Sequence, residues 1–355
     1  MSTGDKPTIV VTGISGNLGS RLLPLLDDFQ VIGVDIAPPQ FSGALRFEKT
    51  DLGREASCRQ LVQILRDSQA RAVVHLAFIF DPVRSGVLDA ERMWQINVAG
   101  TARVLEAVTE ANRRGCAIDS FLFPSSTTVY GPDTPDPAHE NHALAAESLS
   151  FALHKQEADN VVRLRASTLG NCASYLLRSA FFSGAPVENY LINALRGIAT
   201  GKNKRAERLR QRGKRLPLLT PGTAYRQNRS QFIHIDDMAR LVANILHRPA
   251  PQKQELTVLN VAGRGESVTF DEVAALAHAR VLRVPGKWAM RRLLGLYWNR
   301  GISAGPPEAT PYLCGSCVAD TSRLKEFLGR DYERVIQYSI ATGLQDSFRD
   351  EAQAS

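Results

Sequence analysis

Thr8-Ile9-Val10-Val11-Thr12-Gly13-Ile14-Ser15-Gly16-Asn17-Leu18-Gly19 is the stretch whose reading decides the fold. An apolar run, Ile9 to Val11, breaks into glycines at 13, 16 and 19, and leucines at 18, 22, 23, 25 and 26 follow at helical spacing. That order is a strand, a tight turn and a helix. Gly13 allows the sharp change of direction, Gly16 keeps side-chain bulk away from a bound pyrophosphate, and Gly19 lets helix and strand pack closely. Ser15, Asn17 and Leu18 complete the loop, and the helix N-terminus turns free N–H groups toward the same anion.

The next strand adds to this reading. Gln30-Val31-Ile32-Gly33-Val34-Asp35 is a buried strand ending in an acid, at the distance from Gly13 expected of a ribose-binding carboxylate. Such a carboxylate accepts hydrogen bonds from ribose hydroxyls and repels a 2′-phosphate. No Lys or Arg follows before Arg46, so the cofactor expected is NAD rather than NADP. The plainer alternative is a glycine turn with a helix-capping Asp.

At 355 residues the chain exceeds one compact core, so a large domain with a smaller lobe is expected. With 44% hydrophobic and 22% charged residues the composition is that of a globular protein. There is no eighteen-residue apolar run, and Met1 to Pro7 lack a signal peptide's apolar core, which points to the cytoplasm. Five scattered cysteines (58, 116, 172, 314, 317) fit reduced thiols. Cys314 and Cys317 form a C-x-x-C pair with no second pair at zinc spacing, so no metal site is expected. The net charge of +7 is unevenly placed: residues 1–170 hold 16 basic and 20 acidic groups, residues 171–355 hold 27 and 16.

Farther along, strands and helices alternate. A strand through Leu45 to Phe47 leads to Asp51 and Leu52, placed either at an adenine edge or in a plain turn and helix cap. Then come a helix from Ala56 to Ser68, a strand from Ala72 to Leu76, a helix from Met93 to Ala111 and a strand from Ser120 to Pro124. His75-Leu76-Ala77 ends its strand in small residues that let a ligand approach, and Ser125 to Gly131 follow the fifth strand. This alternation predicts an α/β fold, a Rossmann doubly wound parallel sheet with its site at the strand ends.

Together the loop from Thr12 to Gly19, Asp35, Asp51-Leu52, His75-Leu76-Ala77, Asn97 to Thr101 and Ser125 to Gly131 resemble the extended short-chain dehydrogenase/reductase family, of the NAD-dependent epimerase/dehydratase type. Later segments agree: Arg165 near the end of a sixth strand, Gln231 to Ala239, and Asn260-Val261-Ala262-Gly263 with Ser267. The resemblance spans nearly the whole chain. It implies a cofactor set of Gly13, Ser15, Gly16, Asn17, Leu18, Gly19, Asp35, Asp51, Leu52, Leu76, Ala77, Asn97 and Lys155, with Asn97 either structural or part of a proton relay. It also implies residues 1–170 as the NAD-binding domain, rejoined by about 231–263. A smaller C-terminal substrate lobe (171–230 and 264–330) and a C-terminal helix (331–355) complete the division. A homodimer would pair through helices near 93–111 and 147–160.

In that family a Ser or Thr after the fifth strand holds the substrate oxygen, and a Tyr exchanges the proton. A Lys four residues beyond the Tyr binds the nicotinamide ribose and favours the phenolate, because a phenol near pKa 10 is otherwise a poor base. Ser126 matches the first, with Thr127 beside it, and Lys155 matches the third. The Tyr position is Phe151, whose ring transfers no proton. Three explanations compete: an enzyme in which water or another group takes the proton, a catalytically impaired NAD-binding protein acting as sensor or scaffold, and an introduced Tyr-to-Phe substitution. Tyr130, His142 and His154 are the neighbours that could stand in; a helical step of about 100° turns His154 away from the Lys155 face.

In the lobe, Arg226 and Arg229 stand near the position of a diphosphate-clamping Arg, displaced from it by Ser230. Asp236 and Asp237 would cap a helix from Met238 to Leu246. Lys202 to Arg215, eight basic residues and one acid, reads as a solvated or partly disordered segment or as an anion site, with nucleic acid disfavoured. Residues 288–298 are amphipathic, which suits packing or a pocket roof more than membrane contact. A helix from Tyr332 to Phe348 closes the chain. The activity implied is reversible hydride transfer on a sugar-like or cyclic alcohol or ketone.

Overall fold

The computed structural model describes residues 6–40, 46–134, 137–249 and 254–349; Met1–Asp5, the expected strand start at Leu45 and positions 350–355 of the C-terminal segment lie outside these. Seven strands form the central sheet: β1 (Thr8–Thr12), β2 (Gln30–Asp35), β3 (Arg46–Lys49), β4 (Ala72–His75), β5 (Ser120–Ser126), β6 (Ala173–Ser179) and β7 (Leu256–Val261). Their order is β3-β2-β1-β4-β5-β6-β7, every pair parallel. The expected Rossmann sheet is therefore present, and its strand order reverses between β1 and β4, the position at which doubly wound sheets take their ligands beyond the strand ends.

The apolar run of β1 is buried on both sides. Ile9 and Val11 pack with Leu18 and Leu22 of α1 (Asn17–Leu22), and Val10 faces the opposite core with Leu61 of α2 (Ala56–Asp67) and Val104 of α3 (Gly100–Arg113). Alternation along the strand feeds two cores, as a sheet covered on both faces requires. Helix α4 (Ser150–Arg165) joins α2 and α3, while α6 (Ile235–Leu246) lies with α1. Between α4 and α6 falls α5 (Lys204–Gln211), and α7 (Gly286–Asn299) comes later in the lobe.

Several expected boundaries move. The helix expected over Met93–Ala111 is a helix at Ala90–Trp94, a wide π-helical turn at Gln95–Ala99 and then α3. Arg165 is not on the sixth strand: the inward spacing of Ala158 and Val162 carries α4 on to residue 165, which pairs with Glu106 at 2.8 Å, and the arginine of β6 is Arg178. The stretch Ala173–Ser179, inside the range 171–230 expected for the lobe, is β6 of the central sheet. Within the segment of about 231–263 expected to rejoin the domain, only β7 joins the sheet. Phe232–His234 instead pairs with Phe181–Ser183 in a separate ribbon.

The cap of α6 is His234, whose side chain accepts from the Asp236 N–H, while buried Asp237 accepts from the N–H groups of Gln337 (3.0 Å) and Tyr338 (2.9 Å). The basic stretch is not a loop: Asn203 accepts from the N–H groups of Arg205 and Ala206 and starts α5. The closing helix breaks into Tyr332–Val335 and Ile340–Asp346, because Ser339 and Thr342 form a new capping box.

Candidate active site

The first turn is built as its glycines require. Gly13 has φ +73° and donates to the Val34 carbonyl at 2.8 Å, and a Cβ there would run into the backbone of Leu76 and Ala77. A Cβ on Gly19 would strike the backbone of Ile14. Gly16 donates to the Gly13 carbonyl at 3.1 Å. The Asp35 carboxylate accepts from the Ser15 N–H (3.1 Å) and the Ile36 N–H (2.7 Å), which ties the tip of β2 to the turn. Asn17 and Leu18 open α1, with Leu18 buried beneath it. A cradle that only hydrogen side chains leave open, beside a carboxylate, suits a dinucleotide.

At the adjoining edge Asp51 accepts from the Gly53 N–H (3.0 Å) and pairs with Arg54 (3.3 Å) and Arg92. These bonds belong to the turn. Leu52 is buried against Gly100.

At the end of β4, buried His75 bridges Thr12 (2.7 Å) and Thr101 (3.0 Å), whose hydroxyl donates to the Asn97 carbonyl at 2.6 Å. Since Thr101 gives its proton to that carbonyl, His75 Nε2 carries the hydrogen and Nδ1 accepts from Thr12. Burial, aided by the positive charge of Lys155, lowers the His75 pKa to about 3, so the ring is neutral. Asn97, in the π-helical turn, grips the backbone of Ile79 twice: its Oδ1 accepts at 2.7 Å and its Nδ2 donates at 3.1 Å. The same amide lies 3.3 Å from His154 Nδ1, whose pKa burial depresses. His154 therefore serves Asn97.

Held this way, Leu76 and Ala77 lie under the turn, and Phe78 and Phe80 meet α4. The Lys155 ammonium is buried, donates to the Pro124 carbonyl at 2.6 Å and sits 3.6 Å from the centre of the Phe78 ring and 4.6 Å from that of Phe123. Burial, partly offset by Asp159, brings its pKa to about 7. Phe151 meets Phe80 edge-on at 4.7 Å and Phe78 at 5.8 Å, and Phe80 stacks on Tyr190 at 4.7 Å. Lys155 and these five aromatic rings thus form one packed cluster beside α4.

Ser126, buried at the end of β5, accepts from the N–H (3.2 Å) and hydroxyl (3.0 Å) of Thr128 and keeps its own proton to give. Buried Thr127 Oγ1 lies 3.6 Å from the Cys317 thiol. None of the possible Tyr substitutes is available. Tyr130 donates to Asn260 (2.7 Å) and accepts from Arg178 (2.9 Å), while His142 is a half-buried loop residue whose Nδ1 accepts from the His139 N–H. Arg226 is spent on Asp271 (2.6 Å) and Arg229 on the hydroxyl and carbonyl of Ser267 (2.7 and 2.6 Å). Cys314 lies against Met290, apart from any cluster of metal-ligating groups, of which the described residues hold none.

Sequence reasoning missed the buried pair Arg178–Asp159, two bonds of 2.9 Å that also engage Ser125 (2.8 Å). The signal was an arginine between the apolar residues Tyr175-Leu176-Leu177 and Ala180-Phe181-Phe182, which demands a buried acid.

Residues 9–262 match the model of the NAD dependent epimerase/dehydratase family. A UDP-glucose 4-epimerase of Azospirillum brasilense is 25% identical over 348 residues, covering 92% of this chain and 88% of its own. That of Erwinia amylovora is 28% identical over 169 residues, covering 44% and 48%. Among solved structures, the dTDP-glucose 4,6-dehydratase DesIV of Streptomyces venezuelae, with NAD bound, superposes with a TM-score of 0.66 at 20% identity over 96% of each chain. MoeE5 in complex with UDP-glucuronic acid and NAD gives 0.64 at 20%, over 97% of this chain and 96% of its own. At such identities the structural likenesses speak for the fold, and the family model for the lineage. With the glycine turn, the carboxylate at the tip of β2 and the sheet order in agreement, the chain belongs to the NAD dependent epimerase/dehydratase family.

Proposed function

We propose that this chain is an NAD-dependent enzyme of epimerase, dehydratase or dehydrogenase type acting on a sugar-like substrate, in the first instance a nucleotide-sugar. The observation that carries it is the crevice at the β1/β4 reversal, where Gly13 lies against Leu76 and Ala77 and Asp35 closes the side. NAD, when bound, supplies a hydride acceptor at its nicotinamide ring. Gly13 to Gly19 would hold its pyrophosphate, Asp35 the adenosine ribose, Asp51 and Leu52 the adenine edge, and Lys155 the nicotinamide ribose. Asn97 would position the 77–80 segment. Ser126, with Thr127, would hold the substrate oxygen; Arg226 and Arg229 would reach a substrate phosphate only by leaving Asp271 and Ser267. The purely binding alternative is not favoured, since the family and the curated relatives are enzymes.

Phe151, taken as standing where the family has Tyr, leaves the substrate proton to water. A positioned base is worth roughly 10² to 10⁴ in rate, so turnover would be slow but measurable. We place the protein in the cytoplasm, where its thiols stay reduced, as a homodimer through α3 and α4, whose Leu164 is 77% exposed. Sedimentation velocity tests the dimer. The decisive test of the enzyme is incubation with NAD and UDP-glucose, UDP-galactose and dTDP-glucose, following epimer or keto-sugar by chromatography. Absence of NAD uptake by calorimetry sinks the reading.

A further inference from the structure

A strongly basic surface on the lobe takes no part in the proposed cofactor site. Residues 202–215 carry eight basic residues and one acid, Glu207, and residues 280–300 carry six basic residues and no acid. The two segments are joined at both ends. Gly201 donates to the Ile302 carbonyl at 2.9 Å and the Asn203 side chain to the Arg300 carbonyl, setting the start of α5 against the end of α7. Leu218–Thr220, just after the basic run, pairs with Val281–Arg283, just before α7.

Two cations are partly spent: Arg210 donates to the carbonyls of Ala199 and Gly201, and Lys202 to that of Arg84. The others are exposed. Among the described residues none of Lys204, Arg205, Arg208, Arg212, Arg291 and Arg292 lies within 4.0 Å of a carboxylate. Helix α7 turns Met290, Leu293 and Leu294 inward against Leu219 and Cys314. Its other face, at steps of three and four, presents Trp288 (70% exposed), Arg291, Arg292 and Leu296, with Leu282 close by at the helix entry. The Arg292 guanidinium stacks 4.8 Å from the Trp288 ring.

We propose that this face docks the protein on an anionic phospholipid bilayer. Arginines and lysines without a carboxylate partner match headgroup phosphates, while an exposed indole and two leucines among them suit the interface depth that tryptophan prefers. The acidic excess of the first half of the chain orients the lobe toward the membrane. A nucleic-acid face would call for aromatic rings interleaved along the basic run, and residues 202–215 contain none. With so little apolar area the docking is mainly electrostatic and therefore salt-sensitive.

Flotation of the full chain with vesicles tests this. Vesicles of phosphatidylcholine with about 30 mol % phosphatidylserine carry the protein at low salt, while pure phosphatidylcholine does not, and about 0.5 M salt releases it. The triple variant Arg205→Glu, Arg208→Glu, Arg212→Glu, with unchanged circular dichroism and melting, lowers binding by roughly tenfold or more. Brominated lipid quenches tryptophan emission of the wild type, and Trp288→Phe abolishes that quenching. Equal binding to both vesicle types, indifference to the charge reversal, or quenching that survives Trp288→Phe overturns the proposal. So does duplex DNA that binds more tightly than vesicles and equally well to Trp288→Ala.

Discussion

At the scale of the residue, the proposed activity turns on Phe151 and Lys155. Phe151→Tyr places a phenol next to a cation whose pKa is about 7, and we expect turnover to rise by roughly 10² to 10⁴ with little change in NAD affinity, read as kcat against the Kd from calorimetry. No gain with any substrate would mean that the ring does not face the reacting carbon. Lys155 also leaves a signature in stability. Its folded pKa lies below the unfolded value of 10.5, so between about pH 7 and 10.5 the unfolded chain holds a proton that the folded chain has lost, and stability rises with pH. Urea unfolding should show wild type gaining on Lys155→Met by about 1.4 kcal/mol per pH unit at most across that window, and no relative change below pH 7. The sequence named both residues, but not the Phe78 ring over the ammonium. That contact depends on how Asn97 holds Ile79, a match between residues eighteen apart that no local spacing reveals.

At the scale of the element, the first turn was legible because its constraint is steric and local: three glycines spaced by three after an apolar run leave few other conformations. Gly13→Val drives a Cβ into the Leu76–Ala77 backbone from a φ that valine rarely adopts. We expect NAD binding to be lost and stability to fall by about 1–3 kcal/mol, measured by calorimetry and thermal melting. Strand β6 was less legible. Arg165 and Arg178 are both arginines near an apolar stretch, and what separates them is a carboxylate on another element, Asp159 of α4. Removing one partner leaves the other buried and uncompensated, so Arg178→Met should cost about 3–5 kcal/mol, and Asp159→Asn with Arg178→Met together less than the sum of the two singly, in a double-mutant cycle. Phe232–His234, part of the segment expected to rejoin the domain, pairs instead with Phe181–Ser183, because so short a segment states that it is buried and not with whom it pairs.

At the scale of the whole molecule, the alternation of strands and helices announced a parallel doubly wound sheet, while the order of its strands comes from the structure. The lobe was the least legible part, for its short ribbons and helices are stapled by long-range bonds such as those of Asp237 to residues 337 and 338. The bridge Thr12–His75–Thr101 spans β1, β4 and α3 at the place where the sheet reverses. His75→Phe should leave both threonines short of a partner and lower the melting temperature while sparing the fold, as circular dichroism would report. Because this rivet fastens the two halves at their hinge line, the crevice walls cannot spread like a jaw. A dinucleotide held at this line is then expected to enter and leave past its rim, without breathing of the sheet.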